Sequence, residues 1–89
     1  MAWKIKFIPN IEKQLKKIPK NEIKRIFNYL REKVTTNPRA YGKPLKGQFN
    51  EFWRYRIGNY RVIVKIEDEE LVVLVVRVAH RKDVYKEKL

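Results

Sequence analysis

The chain has 89 residues, with 22 Lys+Arg against 10 Asp+Glu, one His and no Cys, for a formal net charge of +12. That length supports one core, and 44% hydrophobic residues is too many for a disordered basic tail. The lack of cysteine excludes a disulfide framework and thiolate metal sites, and the longest apolar run, Leu71 to Val76, is six residues against the roughly 20 of a bilayer span.

Trp3 to Ile8 alternates apolar and polar residues, the period of a half-buried strand, and Pro9-Asn10 ends it. Asn10 is placed to cap a helix, with Glu12 in the favourable first turn. Ile11, Leu15 and Ile18 then recur at i, i+4 and i+7, a short amphipathic helix broken at Ile18-Pro19. A longer helix follows, with Ile23, Ile26, Phe27, Leu30 and Val34 on one stripe and Lys24, Arg25, Arg31 and Lys33 on the other face. It stops before Asn37-Pro38. Residues 38–51 read as a loop punctuated by Pro38, Gly42, Pro44 and Gly47, with room for a brief edge strand within 43–47. Phe52 to Ile57 is a strand, Gly58-Asn59 a tight turn, and Tyr60 to Glu67 the next strand. Asp68-Glu69-Glu70 is a solvated turn. Leu71 to Ala79 is apolar on both parities, as in a central strand covered on both faces. The polar tail from His80 to Leu89 has room for a short helical turn. The expected fold is a single α+β domain over residues 1–89, ordered β-α-α-β-β-β(-α), with a mainly antiparallel four-stranded sheet packed on a two-helix hairpin.

A charge of +12 on so small a domain repels itself, and a polyanion offsets it by exchanging condensed counterions for Lys and Arg. A membrane surface normally needs a basic amphipathic helix with exposed bulky apolar residues. Thermophile-like lysine enrichment normally brings matching glutamate, which is missing here. Nucleic acid is the expected partner and no membrane is. The N-terminus has no continuous apolar signal region, so the expected location is the cytoplasm.

Strand alternation sets Arg54 and Arg56 on one side and Trp53, Tyr55 and Ile57 on the other. Arg61 shares its side with Ile63 and Lys65, leaving Val62, Val64 and Ile66 as the buried set. Arg77 and Arg81 share a parity on the last strand. One register therefore puts Arg54, Arg56, Arg61 and Arg81 on a single sheet face, where guanidinium groups repel one another unless an anion lies among them. Outward-facing charge on a two-sided sheet is the competing reading. Trp53 and Tyr55 oppose the arginines and belong to the core, whereas Phe52 shares their face and can stack on a base.

His80 is the only side chain with an ordinary titration near neutrality, so another group must share proton transfer, and Tyr85 is the obvious partner. A packed histidine without a role is the alternative. No cofactor is called for, and no metal: zinc needs several His or Cys, and the carboxylates of Glu67 to Glu70 sit at a hairpin tip.

The strings Phe52-Trp53-Arg54-Tyr55-Arg56-Ile57-Gly58-Asn59-Tyr60-Arg61 and Arg77-Val78-Ala79-His80-Arg81-Lys82-Asp83-Val84-Tyr85 resemble the RelE family of the RelE/ParE superfamily, the toxins of type II toxin–antitoxin systems. The resemblance spans essentially the whole chain. It implies a RelE-like microbial RNase-type fold and a ribosome-dependent endoribonuclease, or mRNA interferase, cutting mRNA in the 30S A site against rRNA. It also implies neutralisation by a cognate RelB-like antitoxin, and operator DNA contacts only through the antitoxin complex. On the family pattern Arg54 and Arg56 stabilise charge at the scissile phosphate, Arg61 contacts phosphate, Arg81 is the leaving-group acid or a charge stabiliser, and Tyr85 is the base for the 2′-hydroxyl. Related toxins use a histidine that matches His80. Their glutamate before the Pro-Leu-Lys segment is replaced by Lys43, which leaves the choice among His80, Tyr85 and water open. Lys46, Phe52, Arg77 and Lys82 complete the expected RNA-binding surface. The competing functions are a ParE-like DNA gyrase inhibitor on the same fold and a non-catalytic RNA- or ribosome-binding module.

Overall fold

The computed structural model describes residues 2–84. Strand β1 (Lys4–Phe7) leads into helix α1 (Ile11–Leu15) and helix α2 (Lys20–Tyr29), which continues as a wider π turn over Leu30–Val34. A two-residue strand β2 (Lys43–Pro44) and a 3₁₀ turn (Gly47–Phe49) precede β3 (Phe52–Ile57), β4 (Tyr60–Glu67), β5 (Val72–His80) and helix α3 (Arg81–Val84). The five strands form one sheet in the order β1-β5-β4-β3-β2. Three pairings are antiparallel and β1 runs parallel to β5, so the sheet is mixed, with the expected edge strand as its fifth member. Among the described residues no helix is long and apolar enough to cross a membrane.

The helices cover one face of the sheet. Ile11, Ile18, Ile26, Leu30 and Val34 pack on Tyr55, Ile57, Val62, Val64, Val73, Val75 and Val78, all 7% exposed or less. Phe27 departs from the expected stripe. It lies at the stripe's border, 37% exposed, and its ring leans on Phe7 with centroids 5.5 Å apart. Asn10 also departs from expectation. It precedes α1 in the left-handed conformation (φ 70°) and its side chain makes no cap.

The last strand is apolar on both parities for a reason other than the expected one. Ile63 pairs with Arg77 but the next residue, Val64, pairs with Val75, so Val76 is an extra residue in β5. The bulge reverses the parity of the strand. Val73 and Val75 face the helices before it, and Val78 and His80 after it, while Arg77 and Ala79 go to the other side. Both parities are apolar because the inward set changes phase, not because both faces are covered. The strand also starts one residue later than expected, because Leu71 takes a positive φ (54°) and closes the preceding turn, its N–H donating to Asp68 O at 3.2 Å.

Two side chains complete this frame. Beyond the end of β1 the outer edge of β5 is taken over by the carboxamide of Gln14. Its Oε1 accepts from Val78 N–H at 2.8 Å and its Nε2 donates to Val76 O at 3.4 Å. Arg39 donates through both Nη atoms to Asp68 (2.7 and 2.9 Å) and lies over the Trp53 ring at 5.7 Å, tying the loop before β2 to the β4–β5 turn. That hydrogen bond holds the Asp68 carboxyl below its usual range.

Candidate nucleic-acid interface

Cross-strand partners in a sheet share a face, so the register assigns each cation to a side. Lys43, Arg54, Ile63 and Arg77 form one row across β2, β3, β4 and β5. Arg56, Arg61 and Ala79 form the next, towards the β3–β4 turn, and Phe52, Lys65 and Leu74 the row on the other side, extended by Lys6. All three rows lie on the face away from α1 and α2. Ile63 is 2% exposed there, between two arginines whose methylene stems suit covering it.

The turn explains the closest pair. Gly58 at φ 61° is followed by Asn59, which is not in the left-handed region, the pattern of a two-residue type II′ hairpin. That turn fixes Ile57 against Tyr60 and, one step in, Arg56 against Arg61. Arg56 is exposed, whereas Arg61 is only 8% exposed. The Nη1 of Arg61 donates to Tyr60 O (2.9 Å) and Gly58 O (3.1 Å), and its Nε is sealed from solvent with no acceptor. Among the described residues neither Arg56 nor Arg61 has a carboxylate within ion-pair reach. A buried guanidinium is normally paired with a carboxylate; this one is held by the carbonyl dipoles of Gly58 and Tyr60, with no counter-carboxylate among the described residues.

A cleft of about 200 Å³ opens beside these rows, lined by Ala40, Tyr41, Gly42, Lys43, Arg54 and Arg56. Gly42 makes it possible: a Cβ there would lie 2.8 Å from both Arg54 O and the Tyr55 ring, so only glycine lets the loop lie this close to β3. Tyr55 is fully buried and its hydroxyl donates to Pro38 O at 2.7 Å, anchoring the same loop. Burial pushes the Tyr55 phenol well above its ordinary range, with Tyr29 adding to the effect.

Arg54, Arg56, Arg61 and Arg77 are thus brought to one face. Arg81 opens α3 at the same end of the sheet, exposed, its N–H donating to Asn59 O at 2.8 Å, and Lys82 comes next, also exposed. Phe52 is half-buried on the arginine face, but about 13 Å along β3 from Arg56 at 3.3 Å per residue. Exposed Lys46 lies in the loop near it, where Leu45 N–H donates to Phe52 O at 2.9 Å. His80 is not on this face: it shares the row of Ile57 and Tyr60, on the helix side. Tyr85 lies outside the described residues. Lys43 and Tyr41 join the cleft without having been singled out as binding residues, because a two-residue strand leaves no periodic signal. Among the described residues no three His, Asp or Glu are grouped to hold a metal ion.

Residues 5–85 match the family described as the ParE toxin of type II toxin–antitoxin system, parDE. Toxin RelG of Mycobacterium tuberculosis is 28% identical over 86 residues, 97% of this chain and 99% of that protein. The toxin–antitoxin complex RelBE2 of Mycobacterium tuberculosis contains a chain that superposes with a TM-score of 0.85 at 26% identity, covering 91% of this chain and 100% of that one. A mutant of the E. coli toxin RelE in the free state superposes with a TM-score of 0.74 at 25% identity, covering 98% of this chain and 94% of that one. With its match running from the first strand past the last, the chain belongs to the ParE toxin family of type II toxin–antitoxin systems and has the fold of RelE toxins.

Proposed function

We propose that the protein is a metal-independent endoribonuclease that cleaves mRNA in the ribosomal A site, acting in the cytoplasm as a translation-inhibiting toxin. The observation that carries the reading is the facing pair Arg56 and Arg61, the latter buried with no counter-carboxylate among the described residues, flanked by the Arg54 and Arg77 row. In the proposed reaction the 2′-hydroxyl loses its proton to a base and its oxygen bonds to the adjacent phosphorus. The bond from phosphorus to the 5′ oxygen breaks, and that oxygen takes up a proton. The products are a 2′,3′-cyclic phosphate and a 5′-hydroxyl. The pentacoordinate phosphorane carries extra negative charge, and fixed cations aimed at it supply the largest stabilisation. Arg61 and Arg56 serve this role, with Arg54 beside them and Arg81 at the leaving oxygen. Arginine is too basic to give up its proton readily, so Arg81 stabilises charge, while Tyr85 and water share the proton transfers. His80, on the other face, is left out of them.

Induced expression tests this reading. Wild type is expected to arrest growth and release mRNA fragments ending in cyclic phosphate, while Arg61→Ala, Arg81→Ala and Tyr85→Phe lose both effects. If all three variants behave like wild type, the assignment fails. The family match favours a second reading, a gyrase inhibitor like ParE. It predicts inhibition of supercoiling by purified protein, with growth arrest that survives Tyr85→Phe. In either case the proposed protein partner is a cognate RelB-like antitoxin, acidic where it meets the arginine face; the similar RelBE2 toxin is part of a toxin–antitoxin complex.

A further inference from the structure

β5 ends at His80 and passes directly into α3, of which the described residues form the first turn (Arg81–Val84). Contacts outside the helix fix where it starts. Two backbone donors at its start have partners: Arg81 N–H is held by Asn59 O of the β3–β4 turn (2.8 Å), and Lys82 N–H by the Nδ1 of His80 (3.2 Å). The imidazole is itself fixed, edge-on to the Tyr60 ring with centroids 5.4 Å apart and planes at 81°. It stands in the position of a helix N-cap, with its ring nitrogen doing what an asparagine or aspartate oxygen ordinarily does.

We propose that His80 is a positioning residue, a neutral acceptor that holds the start of α3 and thereby aims Arg81 at the arginine face. Accepting at Nδ1 requires a free lone pair there, so the ring carries its proton on Nε2. A second proton would set donor against donor. It would also add a cation to a cleft of about 250 Å³ lined by Gln14 and Lys17 of α1 and the turn after it, Tyr60 of β4, Arg77 of β5 and Asp83 of α3, beside Arg81 and Lys82. Among the described residues Asp83 is the one carboxylate lining that cleft, against Lys17 and Arg77.

The activity arm of the test rests on the ribonuclease reading, and the spectroscopic arm does not. In cleavage of ribosome-bound mRNA, His80→Asn is expected to stay within about threefold of wild type, because its Oδ1 can accept the same N–H, and His80→Ala to fall about tenfold or more. Equal loss in both variants beside an active wild type would instead make His80 a proton-transfer group, and no loss in either would remove its role; both outcomes overturn the proposal. If wild type itself does not cleave, the ribonuclease reading fails and amide exchange decides this one. Protection of the Lys82 amide should vanish in His80→Ala and survive in His80→Asn, and ring nitrogen shifts should report the Nε2–H tautomer. Equal exchange in all three proteins overturns the proposal.

Discussion

Arg56 and Arg61 face each other directly across the β3–β4 ladder, one in solvent and the other buried beneath the turn. Side chains so placed have Cβ atoms about 4.5–5.5 Å apart, and like charges there are destabilising by a few tenths to about 1 kcal/mol. Stability and function therefore oppose each other at this pair. Arg56→Gln is expected to raise Tm by roughly 2–4 °C in low salt, with the gain shrinking towards zero at about 1 M salt as screening removes the repulsion. The same variant should bind RNA more weakly. Thermal melts at the two ionic strengths check the first part, and a lower Tm in low salt would show that the two guanidinium groups do not strain the ladder.

Gly42→Ala should damage both the fold and the cleft. Its new Cβ would meet Arg54 O and the Tyr55 ring at 2.8 Å, a backbone atom and a buried ring, neither of which gives way cheaply. Overpacking of this kind costs about 1–3 kcal/mol, and the loop can relieve it only by moving off β3 and widening the Arg54–Arg56 cleft. Gly58→Ala is the comparison, since it meets the far end of the Arg25 side chain but keeps a φ of 61° that alanine dislikes. Urea unfolding should rank Gly42→Ala as the less stable of the two.

Periodicity made most of this fold legible. The Trp3–Ile8 alternation, the Ile11/Leu15/Ile18 spacing and the Gly58-Asn59 turn each have a one-to-one reading in backbone geometry, and each element stands where it was expected. The same alternation put Arg54, Arg56 and Arg61 on one face, since β3 and β4 keep strict period two through the hairpin. What escaped was the phase change at Val76. A bulge needs no special residue type, and Val72 to Val76 offers valine or leucine at every position, so nothing marks which one is extra. The phase change turns Val73 and Val75 to the helix side, whereas Arg77 and His80 lie on opposite faces as their parity required. Lys43 lies in the expected edge strand but was not read as a binding residue, because a two-residue strand leaves no alternation to say which face it presents.

Tyr55 predicts a response to alkali. Its hydroxyl donates to the buried Pro38 carbonyl, and burial pushes its ionisation up. In the unfolded chain a phenol loses its proton near pH 10, whereas the folded protein keeps it. Above that pH the unfolded state binds fewer protons than the native state, so stability falls as pH rises. Tyr55→Phe should cost about 1 kcal/mol at pH 7, where the carbonyl loses its donor, and should flatten the alkaline decline. It should not abolish it, because Tyr29 is shifted the same way by burial and by Tyr41. Denaturant midpoints measured from pH 7 to pH 11 test both parts, and parallel curves for the two proteins would mean that Tyr55 ionises as freely folded as unfolded.

The arginine face predicts a local salt dependence of RNA affinity. Each phosphate neutralised by a fixed cation releases counterions, so log K falls with log salt by about 0.7 per contact on a single strand. Arg54, Arg56 and Arg61 lie in adjacent rows of one rigid sheet and can engage successive phosphates together. Arg56→Gln should weaken binding and reduce the slope by about 0.7. Lys24→Gln removes the same charge from the exposed surface of α2, on the opposite side of the sheet. It should leave the slope unchanged and weaken binding only through the net charge. Titrations of a short uncapped RNA at several salt concentrations separate the two cases. Equal slope losses in both variants would mean that RNA samples the whole basic surface and that the sheet face has no privileged role; a loss confined to Arg56→Gln ties the charge of this small domain to the one surface where its cations are fixed in register.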